Sequence, residues 1–274
     1  MIIDFHTHSF SDRIAEKMRM KIDYHALFTT LKQSCGIMFP YTDGTLEGLR
    51  TNMRANGIDI SVVLNIATKA SQHEVVNNYA YELNKYNDLV SFGSVFPSAP
   101  SAMDELDRIA ALGIPGIKLH PDYQGFFVDD ESLFPLYEKI SSLGLITVFH
   151  CGHDLGLYSP CHCSPQRLSR ILDVLTSPVV AAHFGGFMLW EDVLEHLAGK
   201  NIYLDTSFSY GRLAPCFARQ IIQAHGFEKI LFGTDTPWSG AKEELAYLKN
   251  LGLDAYELGC ILGNNACQLF GIDE

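Results

Sequence analysis

Eight short apolar runs recur along the chain, each followed by polar or helical sequence. They are Ile2–His6, Ile60–Ile66, Leu89–Phe96, Gly116–His120, Ile146–His150, Val179–His183, Ile202–Thr206 and Ile230–Thr234. The runs are nearly continuously apolar rather than alternating, the pattern of parallel strands covered on both faces by helices. Helical candidates fill the gaps at Glu74–Tyr86, Met103–Leu112, Ser132–Leu143, Pro165–Leu175 and Met188–Leu197. Ser164 followed by Pro165 reads as a cap and first helical residue, and Gly113, Gly144, Gly199 and Gly226 fall where helices end. Eight β/α units predict a (β/α)8 TIM barrel. An open doubly wound sheet ranks second, because no Gly-x-Gly-x-x-Gly follows a strand.

The 274 residues, 47% hydrophobic and only 19% charged, supply a sizeable core. No linker or composition shift divides them, so one domain over 1–274 is expected. Ser9 to Asp59 reads as an insertion over the barrel mouth, helical in Arg13–Met20 and Leu46–Asn56. A last helix around Tyr256–Leu269 is expected on the barrel's outside. The net charge of −12 provides no basic footprint for nucleic acid. No apolar run approaches membrane-spanning length. Seven scattered cysteines and a strand starting directly after Met1 give the expectation of a reduced, cytoplasmic protein. The partner expected is a small molecule; a homodimer is an assembly open to the chain.

Polar residues gather at one end of these runs. Histidine closes strand one (His6, His8), strand four (His120, after Lys118), strand five (His150) and strand six (His183), while Asp235 lies just past strand eight. Side chains two apart on a strand share a face, so His6 and His8 converge on one point. In this barrel the chemistry sits at the carboxyl ends of the strands. Imidazoles and a carboxylate converging there are ligands for a borderline divalent metal such as zinc. His6, His8 and His150 would hold the metal. Asp235 would ligate it or take a proton from water, and His183 would hold a second metal or the attacking water.

Cys161-His162-Cys163 is a poor clip for one tetrahedral ion, and Cys151, next to His150, should point away from the site. His153 faces the mouth or solvent. His25, His73, His162, His196 and His225 read as surface or supporting residues. Tyr123, Phe184 and Trp238 line the pocket or pack beneath the mouth loops.

With HTH, GIKLHP, FHCG, AHFGG, GTDTP and the closing LGNNACQLFGI in order, the chain resembles the amidohydrolase superfamily. Within it the match is to the amidohydrolase-2 group, which includes aminocarboxymuconate-semialdehyde decarboxylase-type proteins. The resemblance implies His6, His8, His150 and Asp235 as metal ligands, with His183 and Asp235 catalytic. It implies one Zn2+ per chain. A binuclear centre bridged by carboxylated Lys118 is the alternative. Otherwise Lys118 anchors an anionic substrate with His120 and His153. The activity expected is hydrolysis of an amide, lactone or ester on a small carboxylate-bearing substrate; non-oxidative decarboxylation is the alternative.

Overall fold

Strand β1 (Ile3–Thr7) is buried at every position and lies between two partners distant in sequence. On one side it pairs in parallel with β2 (Ile60–Leu64), Ile3 opposite Ile60. On the other it meets the segment running on from β8 (Ile230–Leu231): Phe5 N–H donates to the Phe232 carbonyl and Asp235 N–H to the His6 carbonyl, both at 2.7 Å. Asp4 ties the seam, accepting from the Thr234 N–H at 2.9 Å and its hydroxyl at 2.7 Å. The structure is a computed structural model and describes residues 1–11, 14–17, 40–155 and 160–272.

From β2 the sheet continues to β3 (Leu89–Phe92). A second arc holds β4 (Gly116–Leu119), β5 (Ile146–Phe149), β6 (Val179–Ala181), β7 (Tyr203–Asp205) and β8 in order, all pairs parallel. Parallel bridges Gly93–Ile117 and Thr7–Thr236 join the two arcs at both edges. The eight apolar runs therefore close into the expected TIM barrel, which leaves no open edge.

The faces alternate as the period of two requires. Ile117, Leu119, Phe149, Val179, Ala181 and Leu204 pack on helix residues such as Leu106, Ile109, Tyr137, Leu168 and Ile221. The opposite parity of β4 carries Lys118 and His120, both buried. Helix Leu46–Asn56 has the predicted bounds, opened by the Thr45 side chain and closed by Gly57. Ser164 caps Pro165–Ser169 as expected, but the α-helix stops there rather than at Leu175. The last helix is broken in register: Ala255–Gly259 and Asn265–Phe270 flank a π-helical turn, Cys260–Asn264. Its residues Ala266 and Cys267 join the cluster of Ile3, Phe5 and Leu231, so this segment packs on the strands. Of the expected helix Arg13–Met20, residues 14–17 are helical and the rest lie outside the described residues. Among the described residues, no helix is long and apolar enough to cross a membrane.

Among the described residues, five non-glycine residues have left-handed backbone: His183, Phe184, Met188, Phe208 and Asp235. All follow β6, β7 or β8. Such conformations cost about 1–3 kcal/mol each and persist where the surroundings over-determine them. Here they bend the chain so that His183 and Asp235 turn into the mouth.

Candidate active site

His6 and His8 share a face of β1, and the seam with β8 brings Asp235 beside them. Gly233 makes that approach possible, because a Cβ there would lie 2.9 Å from the His6 Cβ. The Asp235 Oδ1 atom is 3.1 Å from His8 Nε2 and 3.5 Å from His6 Nε2.

The second ring nitrogens decide what these atoms can do. His6 Nδ1 is 2.8 Å from the fully buried Asp205 carboxylate, and His8 Nδ1 is 2.8 Å from the Leu64 carbonyl. A carboxylate and a carbonyl only accept, so both histidines carry the proton on Nδ1 and present an Nε2 lone pair. Adjacent ligands of a cation with bonds near 2.1 Å stand about 3–3.5 Å apart. The triple His6, His8 and Asp235 therefore fits a divalent cation in both spacing and protonation.

His150 and His183 repeat the argument. His150 Nε2 faces the His153 carbonyl at 3.2 Å, and His183 Nδ1 faces the Ser207 carbonyl at 3.3 Å and its hydroxyl at 2.9 Å. As donors to those carbonyls, both rings turn a lone pair inward, and His150 Nδ1 meets His183 Nε2 at 3.1 Å. Two acceptors that close need a proton or a cation between them. The structure thus pairs His150 with His183 more closely than with the His6, His8 and Asp235 triple.

His120 differs. Its Nδ1 accepts from the Tyr123 N–H at 3.3 Å, so neutral His120 carries its proton on Nε2, 3.4 Å from Asp154. A protonated nitrogen is a donor and not a ligand, which removes His120, His150 and Asp154 as a metal set despite their proximity. Tyr123 and His150 stack on the two faces of His120 at 3.8 and 4.0 Å. The third cluster, His6, His183 and Asp205, consists of outward nitrogens gathered by Ser207, whose hydroxyl reaches both rings and the carboxylate. It is a support and not a site.

Burial sets the charges. It holds His6, His120, His150 and His183 far below the ordinary imidazole range, and the Lys118 cation adds to this. Neutral imidazole is the form that binds metal. Burial raises Asp235 against the pull of His8. Lys118 is fully buried, its Nζ has no hydrogen-bond partner among the described residues, and burial pushes it down to about 8 against the pull of Asp205 and Asp235. An unpaired buried ammonium is costly, so its place among these side chains calls for an anion.

Asp205 and Ser207 escaped the sequence reading. The signal was present, since LDTS closes β7 on a carboxylate just as GTD follows β8. Other readings resolve one way. His73 and His225 are buried supporting residues and not surface ones, bonded to the Phe96 N–H and the Ile202 carbonyl. Phe184 is fully buried in the main core, the packing alternative of the sequence reading. His162 pairs with Asp122 at 2.7 Å, and no cysteine joins a ligand cluster among the described residues. His153 contributes its carbonyl to His150, while His25 lies outside the described residues.

Comparison with known proteins follows the same lines. The family model described as amidohydrolase matches residues 3–272. No curated protein matches the sequence. Among solved structures, 5-carboxyvanillate decarboxylase from Sphingomonas paucimobilis is similar at 16% identity, TM-score 0.71, covering 99% of each chain. A dihydroxybenzoic acid decarboxylase from Polaromonas, with bound manganese and an inhibitor, is similar at 16% identity and TM-score 0.70, covering 98% of this chain and 96% of its own. A putative 2-pyrone-4,6-dicarboxylic acid hydrolase from Pseudomonas putida is similar at 19% identity and TM-score 0.65, covering 100% and 98%.

Proposed function

The chain belongs to the amidohydrolase family, and from that premise we propose that it is a metal-dependent decarboxylase of a small aromatic carboxylic acid, built as one domain. The observation that carries this is the buried Lys118 cation, without a hydrogen-bond partner among the described residues and set among inward-facing imidazoles and Asp235. That arrangement asks for a carboxylate beside a cation site. The similar structures that are decarboxylases support this reaction over the hydrolysis expected from sequence.

His6, His8 and Asp235 would hold one divalent cation, with His150 the fourth ligand that the family resemblance implies, zinc by the donor set or manganese as in the Polaromonas structure. When bound, it would supply positive charge against developing negative charge on the substrate. The protein's own residues do the rest. Lys118, His120 and His153 anchor the substrate, Lys118 as a point charge and His120 through its Nε2–H. His183 and Asp235 hold the proton. As the C–C bond breaks, carbon dioxide leaves, the electron pair stays on the ring carbon, and that carbon takes the proton.

Hydrolysis is the second reading, favoured by the similarity to the pyrone dicarboxylic acid hydrolase. The same Asp235 or His183 would then take a proton from water attacking a carbonyl. Incubating metal-loaded protein with 2,6-dihydroxybenzoate, 5-carboxyvanillate and 2-pyrone-4,6-dicarboxylate separates the two. Carbon dioxide release from an aromatic acid supports decarboxylation. Ring opening without carbon dioxide moves the assignment to hydrolysis.

A further inference from the structure

The loop after β7 holds a cation that makes no salt bridge among the described residues. Arg212 is half-buried, its guanidinium carbon lies 3.6 Å over the ring of Phe208, and the one hydrogen bond that the guanidinium makes among the described residues goes to the Tyr210 carbonyl at 2.9 Å. Glu244 lies nearby but is spent elsewhere: its oxygens accept from the Ser239 hydroxyl and from the N–H groups of Ser209 and Tyr210. Asp235 attracts Arg212 electrostatically, yet its Oδ1 faces His8 and His6. Burial pulls the guanidinium below its usual value, so an arriving anion meets a partly desolvated partner.

Phe208 places this cation at the mouth. Its ring is 6.2 Å from that of His183 and 5.4 Å from that of Phe187, which is itself 6.3 Å from His183. The left-handed backbone at Phe208 is uncommon for an aromatic residue and aims the ring there. A guanidinium resting on a ring is pre-oriented, and its planar fork matches a carboxylate. The two rings, 4% and 7% exposed, form an apolar wall beside it.

We propose that Arg212, seated on Phe208, is a second anion anchor, and that the substrate is an aromatic dicarboxylate. Resting on the decarboxylase reading, this assigns the carboxylate that leaves to the deep, fully buried Lys118, and the carboxylate that stays to the shallower Arg212. The substrate ring lies against Phe187 and Phe208. Two cations at different depths, neither in a salt bridge among the described residues, are the juxtaposition that carries it.

The test is calorimetric titration of metal-loaded protein with benzoate, isophthalate and terephthalate, for wild type, Arg212→Gln and Arg212→Lys. Wild type should bind at least one of the two dicarboxylates tenfold or more tightly than benzoate, the scale of a charge-assisted hydrogen bond. Arg212→Gln should erase that advantage while keeping benzoate affinity. Arg212→Lys, which keeps charge but not the fork, should retain part of it, and decides the matter if the glutamine variant fails to fold. A wild type with no preference for dicarboxylates, or a variant that keeps the preference in full, overturns the anchor. Carbon dioxide assays fail separately: Arg212-dependent binding with no carbon dioxide from any aromatic acid sinks the decarboxylase reading and leaves the anchor standing.

Discussion

Replacing Asp205 with asparagine tests the reasoning about ring protonation most directly. Its Oδ2 accepts from His6 Nδ1 at 2.8 Å, while Oδ1 accepts from the His183 and Ser207 N–H groups at 3.1 and 3.0 Å and from the Ser207 hydroxyl. An asparagine has one acceptor oxygen. Placing its NH2 toward the two backbone donors would leave them unmet in a dry site, at about 1–3 kcal/mol each. The oxygen therefore stays with those donors and the NH2 turns to His6. His6 must then accept at Nδ1 and carry its proton on Nε2, the atom that faces Asp235. Loss of such a supporting partner costs roughly 10- to 100-fold in metal affinity, or about 1.4–2.7 kcal/mol. The assay is competition for zinc between metal-stripped protein and a chromophoric chelator, with melting curves to verify the fold. An Asp205→Asn protein that folds and binds zinc within twofold of wild type would refute the tautomer argument.

Three further outcomes are expected. Asp235→Asn should lower turnover at least 100-fold with little change in melting temperature, since it removes a ligand and a proton carrier; retained activity takes Asp235 out of the mechanism. His6→Ala with His8→Ala should purify without metal by plasma mass spectrometry, and unchanged metal content would put the site elsewhere. Glu244 bears on pH: burial pushes it up to about 8 from an ordinary value of 4.5. Between those values the unfolded chain has released a proton that the folded chain keeps, so stability falls as pH rises, by up to about 1.4 kcal/mol per unit. Glu244→Gln preserves the bonds to Ser239, Ser209 and Tyr210 without the titration, and urea melts from pH 5 to 8 should show a flatter slope. Equal slopes would mean that Glu244 titrates normally.

The strands and the mouth were legible in the sequence for one reason. A strand buried on both faces has to be apolar, so a histidine or aspartate at its end stands out against the run before it. That rule located His6, His8, His120, His150, His183 and Asp235, and applied to LDTS it would have located Asp205. It could not separate ligand from donor. His120 and His150 close neighbouring strands in similar words, yet only the Tyr123 N–H beside His120 Nδ1 makes that ring a donor at Nε2. Nor could it mark Arg212 among the chain's other basic residues, because its meaning lies in the ring beneath it and in the salt bridge it lacks among the described residues.

What the sequence alone determined, then, is the periodic pattern: eight apolar runs, their helical crossovers and the polar residues at their ends, since burial and backbone hydrogen bonding act on local composition. The tertiary structure decided the rest. It set which nitrogen of each histidine faces inward, left Lys118 buried without a hydrogen-bond partner among the described residues, and carried Arg212 to the aromatic wall. Those outcomes depend on contacts between residues up to about two hundred positions apart, such as His6 with Asp205, and no local pattern encodes a proton's place on a ring that a distant carboxylate assigns.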